Sequence, residues 1–204
     1  MENKNSRIVK LMQTGILAAL CFVSFTFLQI KIPVPGGDAT SLHVGNAFCV
    51  LAALLLGGWY GGLSGAIGMT ISDLLDPAYI LGAPKTFVLK LCIGLIVGLV
   101  AHKYAKIDQS NDKKYIAKWS IIAAICGLSF NVVFDPVVGY FYKQYILGQP
   151  QQMAAVLAKF SVVTTFINAV VSVILVGFIY NAIRPILTKS GLLLPVGKET
   201  MKNI

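Results

Sequence analysis

The sequence has few charged residues and very few acidic ones. Charged residues make up 12% of its 204 positions, and only 8 residues are aspartate or glutamate. A soluble domain of this length carries about 25% charge, so the composition argues against one. With 56% hydrophobic residues and a mean hydropathy of +0.76, the sequence instead predicts a protein that lies in a lipid bilayer.

Histidine and cysteine are also scarce, and they are not arranged for metal binding. There are two histidines, His43 and His102, and four cysteines without a C-x-x-C pair or a Cys/His cluster. A zinc site or a disulfide framework needs such clustering, so we expect no metal and no cofactor. Each cysteine lies in an apolar run, which is typical of a buried free thiol.

Apolar runs of about 20 residues follow one another along the chain. Each is long enough to cross a hydrocarbon layer of ~30 Å as a helix, and the runs do not alternate as the strands of a membrane barrel do. The sequence therefore predicts an all-α integral membrane protein, a compact bundle of six transmembrane helices forming a single domain over residues 1–204. The predicted spans are 8–30, 44–59, 62–75, 85–102, 117–142 and 153–187.

Basic residues are concentrated in three segments. Six spans would place all three segments on one side of the membrane, and the positive-inside rule then puts both termini in the cytoplasm. Acidic lipid is a sufficient partner for these residues, so the net charge of +9 does not indicate nucleic acid. The segments contain Lys4, Arg7 and Lys10; Lys103, Lys106, Lys113, Lys114 and Lys118; and Arg184, Lys189, Lys198 and Lys202.

The segment GGWYGGLSGAIGM, residues 57–69, is rich in glycine. GGWYGG predicts a tight turn between the second and third spans, because glycine adopts turn conformations freely. Gly58 with Gly62, and Gly61 with Gly65, are spaced four residues apart, and small residues at this spacing let membrane helices pack closely. We expect these glycines to be mainly architectural.

The same segment contains the string G-L-S-G around Ser64, which matches the nucleophile motif of intramembrane serine proteases. This string raises an alternative function, an intramembrane serine protease that uses Ser64. A nucleophilic serine needs a base within hydrogen-bond distance. Neither His43 nor His102 is predicted to lie opposite Ser64, which argues against the alternative.

Polar side chains inside the predicted spans are candidates for a functional site, because burying them in lipid is unfavourable. Lys90, Asp135 and Lys159 lie at similar depths in the outer halves of three spans, with two asparagines slightly deeper. They predict an outward-facing polar cavity; the alternative is a structural ion pair between Asp135 and one lysine. The expected substrate-binding residues are Lys90, Asn131, Asp135, Tyr140, Lys159, Asn168, His43 and Asp73, with Phe134 and Phe141 as further stacking partners for a planar ring.

The segment KIPVPGGDATSLH, residues 31–43, contains two prolines and two glycines and is predicted to be a non-helical outer loop. We expect this loop to close over the cavity as a gate. Gly36 and Gly37 would act as hinges. Lys31, Asp38 and His43 would lie near the rim.

The chain has no recognisable ATP site. Its segment GLLLPVGKE has five residues between the glycines instead of four, and Glu199 stands where a P-loop requires serine or threonine. No internal repeat of the secondary-transporter kind is evident either. Energy for any transport would have to come from a partner.

Long segments of the sequence resemble the substrate-binding (S) components of energy-coupling factor (ECF) vitamin transporters. The similar segments are HVGNAFCVLAALLLGGWYGGLSGAIGMTISDLL, APKTFVLKLCIGLIVGLVA and NAVVSVILVGFIYNAIRP. The nearest likeness is to the branch with hydroxymethylpyrimidine- and riboflavin-type S components. The resemblance implies a non-enzymatic subunit in a bacterial cell membrane. It would bind one small vitamin, of a pyridine or pyrimidine type or riboflavin, under the first outer loop.

The resemblance also implies partners. S components dock on a transmembrane scaffold (T) protein that carries two ATP-binding cassette ATPase subunits. The family's docking surface is a pair of small residues, usually alanines, spaced four apart in the first helix. Gly15 and Ala19 have this spacing here, with Ala18 beside them. Glycine replaces the first alanine but keeps the face small.

Overall fold

Apolar runs separated by short proline- and glycine-containing segments produce the helices. A computed structural model describes residues 4–34, 38–193 and 196 of the chain. Six α-helices form within these residues, as predicted. They are α1 (Lys4–Phe27), α2 (Gly45–Leu56), α3 (Gly58–Leu75), α4 (Ala83–Gly98), α5 (Lys113–Phe141) and α6 (Gln151–Lys189). Short 3-10 turns follow α3 and α4 at Ile80–Gly82 and Ile107–Gln109, and π-helical turns extend α4 and α5 over Leu99–Tyr104 and Tyr142–Ile146.

Four helical segments in the described part of the chain are long and apolar enough to cross a membrane: α1, α4 together with its flanking 3-10 and π-helical turns (Ile80–Tyr104), α5 and α6. The helix α2 has only 12 residues, or about 18 Å, which is shorter than a hydrocarbon layer of ~30 Å. Glycines and polar residues lower the hydropathy of α3. The six-helix prediction is therefore confirmed, while six full crossings and the cytoplasmic location of both termini stay predictions.

The segment predicted as a loop contains a β-hairpin. Strand β1 (Gln29–Val34) pairs antiparallel with β2 (Asp38–His43), with Gln29 opposite His43. The all-α prediction is thus wrong here, and α1 ends at Phe27 instead of continuing to Ile30. Branched side chains at Ile30, Ile32 and Val34 follow the period of two that favours a strand. We call the end of the bundle that carries this hairpin the hairpin end.

A single residue connects α2 to α3. Gly57 has a φ angle of 87°, in the left-handed region that glycine adopts without a steric penalty. The predicted tight turn is confirmed, although Trp59 and Tyr60 belong to α3 and not to the connection.

The glycines of α3 bring its backbone against three neighbouring helices. A Cβ atom at Gly61 would overlap the backbone of Ala53 in α2, and one at Gly62 would overlap the backbone carbonyl group of Leu91 in α4. One at Gly68 would overlap the carbonyl group of Ala18 in α1. These contacts confirm the architectural role, since small residues permit close packing between membrane helices. We call this interface the glycine-packed region.

All four cysteines are free thiols, but they differ in burial. Cys21 and Cys49 are buried, Cys92 is half-buried and Cys126 is exposed. The burial prediction is wrong for Cys126, because this residue lies on the face of α5 that points away from the other helices.

Candidate functional site

A cavity of about 280 Å³ opens at the hairpin end. The hairpin, α3, α4, α5 and α6 all contribute to its wall. Its volume is slightly below the range of ~300–1,000 Å³ typical of ligand sites, which favours a small ligand. Its polar lining includes Ser41, His43, Asp73, Lys85, Thr86, Lys90, Asn131, Asp135, Ser161, Thr164 and Asn168.

An ion pair crosses the cavity wall between α4 and α5. The Lys85 ammonium group donates to Oδ1 of Asp135 at 2.8 Å, and the Ser161 hydroxyl group donates to Oδ2 at 2.7 Å. Asp135 therefore joins three helices. The predicted alternative of an ion pair with one lysine is present, but the partner is Lys85, which the sequence analysis did not select.

Lys90 lies one helical turn beyond Thr86 on α4 and is only 6% exposed. Its ammonium group donates to Oδ1 of Asn46 at 2.9 Å and, at the longer distance of 3.4 Å, to Oδ1 of Asn131. None of the ion pairs among the described residues includes Lys90. The cavity thus contains a buried cation whose protein partners are neutral amide oxygens.

Asp73 lies near the end of α3 and is 3% exposed. The Thr86 side chain and the charges of Lys90 and Lys85 all act on its carboxylate group and favour the ionised form. Within the described ranges, Asp73 forms no ion pair. A buried carboxylate group and the buried Lys90 ammonium group therefore line one cavity without forming an ion pair.

Asn168 on α6 attaches the hairpin to the bundle. Its Nδ2 group donates to the Ser41 carbonyl group at 2.9 Å, and its Oδ1 atom accepts from the backbone N–H of His43 at 2.9 Å. The hydroxyl groups of Thr40 and Thr164 are also hydrogen-bonded, at 2.8 Å. These bonds hold β2 across the cavity.

The rim of the cavity contains a second attachment. Lys31 of β1 forms an ion pair with Asp76, the residue that ends α3. Burial acts to raise the pKa of Asp76, but hydrogen bonds from Lys31 and from the Ala78 backbone outweigh it and lower the pKa below its usual value. Lys31 thus lies at the rim, and Asp76, at the end of α3, is its partner there.

The His43 ring packs edge-on against Phe25, with 4.6 Å between ring centroids. Its Nδ1 atom is buried and has no hydrogen-bond partner among the described residues. Burial, followed by the charge of Lys90, lowers the pKa of His43 from 6.5 to about 3. The ring is therefore neutral at physiological pH.

The structure brings most of the predicted site residues to one cavity. Those in its wall are Lys90, Asn131, Asp135, Asn168, His43 and Asp73. Sequence analysis missed Lys85, Thr86, Ser161 and Asn46. One pattern in the sequence does indicate Ser161. It shares a helix face with the polar residues Thr164, Thr165 and Asn168, which follow it at intervals of three, four and seven positions.

The prediction is wrong for Lys159 and Tyr140. Lys159 is exposed on α6, because the residue after Ala158 lies about 100° further round the helix and leaves the cavity face. On α5, Gly139 lines the cavity, and Tyr140, the next residue, is likewise turned about 100° away from it. Phe134 and Phe141 do not line the cavity either. The aromatic residues of the wall are instead Phe25, Tyr79 and Tyr142, together with His43.

The other predicted residues lie elsewhere. The hinge residues Gly36 and Gly37 lie outside the described residues, and Asp38 begins β2 opposite Val34. On α1, Gly15 and Ala19 are exposed, whereas Ala18 is half-buried on the side of Gly68. The predicted docking pair therefore lies on the surface of the bundle.

The Ser64 hydroxyl group is buried and donates to two carbonyl groups, those of Tyr60 at 2.9 Å and Thr14 at 3.1 Å. His102 is held by Asp108 and by the Ala53 carbonyl group. His43 lies in the hairpin. Nothing among the described residues supports the protease alternative.

Three known proteins resemble this chain. A UPF0397 protein of Leuconostoc citreum (strain KM20) is 27% identical over 139 residues, which covers 67% of this chain and 70% of that protein. The structure of ThiT from Listeria monocytogenes matches with a TM-score of 0.65 and 20% identity over 93% of this chain and 99% of that one. The S component of a bacterial ECF transporter matches with a TM-score of 0.51 and 21% identity over 89% and 98%.

The two structural likenesses, both below 25% identity, show the fold. A sequence model of a family described as "ECF-type riboflavin transporter, S component" matches residues 5–185, almost the whole chain. The chain therefore belongs to this family of S components, the membrane-integral, non-enzymatic, substrate-binding subunits of ECF vitamin transporters.

Proposed function

We propose that this chain binds a small water-soluble vitamin or precursor with a pyridine or pyrimidine ring, such as pyridoxine or hydroxymethylpyrimidine. The polar cavity under the hairpin, with Lys90, Asn131 and Asp135 in its wall, carries the proposal. We further propose that the hairpin end faces outwards and that ATP-driven partners move the ligand into the cell. Riboflavin, which the family description names, is the alternative ligand.

The size and the lining of the cavity support a small polar ring. A volume of about 280 Å³ suits one ring better than three fused rings. Phe25, Tyr79 and Tyr142 offer flat apolar surfaces for stacking, while the buried amide and charged groups offer hydrogen bonds.

The site is tested by Lys90→Met and Asp135→Asn. Each change removes one buried charge-assisted hydrogen bond, worth on the order of 1.5–3 kcal/mol, so ligand affinity should fall more than tenfold. Mass spectrometry of small molecules that copurify with the protein first identifies the ligand, and calorimetry in detergent then measures its affinity. Lys159→Met is the matched control, because Lys159 is exposed outside the cavity. Unchanged affinity in both cavity variants contradicts the proposal.

Docking on a scaffold protein is proposed for the exposed face of α1. A Cβ atom at Gly15 would meet nothing within 4 Å, so a larger side chain there fills space outside the bundle. The double change of Gly15 and Ala19 to leucine should leave ligand affinity intact. It should abolish ATP-driven uptake into vesicles that contain the scaffold and ATPase subunits, because the added bulk blocks close helix packing.

The matched control for docking is Cys126→Leu, which adds bulk at an exposed position on α5. This variant should transport normally. Normal uptake by the double variant contradicts docking through this face. Accumulation of substrate by the wild-type chain without any partner contradicts the subunit proposal as a whole.

A further inference from the structure

The charges in the cavity show what kind of ligand would complete it. Apart from Lys143 at the end of α5, the wall contains two ammonium groups and two carboxylate groups. Lys85 and Asp135 neutralise each other across 2.8 Å. Lys90 and Asp73, both less than a tenth exposed, form no ion pair within the described chain. The site therefore offers a ligand one separate cation and one separate anion.

We propose that the ligand is a dipolar heteroaromatic ring of the hydroxypyridine type, with its anionic ring oxygen on Lys90 and its protonated ring nitrogen on Asp73. The inference rests on the proposed function, because it assumes that this cavity is the substrate site. It goes further because it selects the pyridine type over the pyrimidine type and over the flavin ring.

The Lys90 side calls for an anionic oxygen. An ammonium group has three N–H donors, and the two amide oxygens of Asn46 and Asn131 accept at most two of them. Neutral acceptors also leave the buried charge uncompensated, which is unfavourable in a site of low dielectric constant. A phenolate-type oxygen supplies both the third acceptor and the opposite charge.

The Asp73 side calls for a donor. An ionised carboxylate group only accepts hydrogen bonds, and Thr86 is the one side chain that acts on it as a neutral donor. A protonated ring nitrogen supplies a further donor together with a positive charge. Charge-assisted hydrogen bonds of this kind are about twice as strong as neutral ones.

The two groups are spaced for a single ring. Thr86 and Lys90 are four residues apart, so they lie on one face of α4 about 6 Å apart along the helix axis. Asp73 and Lys90 line the same cavity, and the charge of Lys90 acts on Asp73. The proposal places one ring between them, with its nitrogen and its oxygen on different edges.

Other rings fit the charges less well. Hydroxymethylpyrimidine and the flavin ring are neutral at pH 7, so they would leave both buried charges without a counterion. Neutral His43 adds no third charge to this side of the cavity. The wall thus favours a ligand that is dipolar but has no net charge.

The test is calorimetry on the wild-type protein with four probes: pyridoxine, its 3-O-methyl ether, hydroxymethylpyrimidine and riboflavin. The ether retains the ring but loses the anionic oxygen. We expect pyridoxine to bind at least tenfold more tightly than the other three. This comparison needs no variant, so it stands even if a substitution disturbs folding.

Variants then locate the contacts. Lys90→Met and Asp73→Asn should each lower pyridoxine affinity more than tenfold, and Lys90→Met should reduce the preference for pyridoxine over its ether. Lys159→Met should change neither value.

The possible failures are distinguishable. If hydroxymethylpyrimidine or riboflavin binds at least as tightly as pyridoxine and depends on Lys90 and Asp135, the dipolar class is overturned and the proposed function stands. If pyridoxine and its ether bind equally, the contact with an anionic oxygen is overturned. If the wild-type protein binds none of the four probes and yields no copurified vitamin, the inference and the proposed function both fail.

Discussion

The glycine-packed region and the cavity show two ways of joining helices in this bundle. In the glycine-packed region, α3 touches α2 and α4 through backbone atoms, since a Cβ atom at Gly61 or Gly62 would overlap its neighbours. At the hairpin end, α4, α5 and α6 are joined through long side chains, with Asp135 bonded to Lys85 and Ser161. Direct backbone contact fixes distances, whereas side-chain bridges leave room for a ligand.

The helix α4 takes part in both regions. Its Gly94 and Gly98 face α3, while Lys85 and Lys90 line the cavity. The positions of the two lysines therefore depend on backbone contacts on the other side of the same helix. Changes in the glycine-packed region should disturb the whole fold, and changes at the hairpin should act locally.

The largest effect should follow from Gly61→Leu. The new side chain would force α3 away from the Ala53 backbone, and overpacking of such a contact destabilises by about 3 kcal/mol or more. The thermal midpoint in detergent should fall by about 10 °C, or no monodisperse protein should be recovered. Gly15→Leu is the control and should unfold like the wild type. An unchanged midpoint for Gly61→Leu would show that backbone contact is not what holds α3.

A smaller and local effect should follow from Asn168→Ala. The change removes both hydrogen bonds that attach β2 to α6, worth about 1–3 kcal/mol together. Hydrogen exchange in β2 should rise about tenfold while the thermal midpoint moves little. Asn181→Ala is the control, because Asn181 bonds only within its own helix, to Gly177. Equal exchange in the two variants would mean that the hairpin is held by other contacts.

Acid should open the hairpin as well, through His43. Its pKa is about 3 in the closed hairpin and near 6.5 when the ring is solvated, so opening takes up a proton. The stability of the closed hairpin is complete above pH 6.5 and falls as the pH drops towards 3. Asp76 acts in the same direction, but only near and below its ordinary pKa of 3.8. Protection factors in β2, which remove the intrinsic pH dependence of exchange, should therefore fall between pH 6.5 and 4.5 in the wild type but not in His43→Phe.

The smallest effect should follow from Lys31→Ala. The Lys31 side chain is 48% exposed, and exposed ion pairs contribute less than about 1 kcal/mol. Exchange in β1 should rise less than fivefold, with no change in the thermal midpoint. Asp76→Asn should match it. A rise as large as that in Asn168→Ala would show that the rim pair, and not Asn168, is the main attachment of the hairpin.

Sequence reasoning found the cavity because charges inside apolar runs are unfavourable unless they have a function or a partner. Lys90 and Asp135, selected in this way, do lie in the cavity wall. The apolar pattern gives the depth of a residue along its helix, however, and not the direction in which its side chain points around the helix. Lys159 was therefore included although it faces outwards. Lys85 was missed because a lysine at the start of a helix is unremarkable in a sequence, and only the fold shows that it reaches Asp135.

The glycine turn was predictable because Gly57 adopts a backbone conformation that other residues avoid. The hairpin was not predicted, because its prolines and glycines indicated a loop, and the alternation in Ile30, Ile32 and Val34 is too short to decide alone. Pairing with residues about ten positions away is what makes this segment a strand. Asn46 was missed for a related reason, since its contact with Lys90 joins residues 44 positions apart.

The balance of charges in the cavity has a consequence for the membrane voltage. Lys85 and Lys90 carry two positive charges, and Asp73 and Asp135 carry two negative ones. Moving one elementary charge through 100 mV involves about 2.3 kcal/mol of electrical work. These four groups sum to zero, so they add almost nothing to the electrical work of moving a site filled with a ligand of no net charge, and Lys143 at the end of α5 adds one further charge to the wall. Uptake should then depend only weakly on the membrane voltage, which a comparison of polarised and depolarised vesicles would measure.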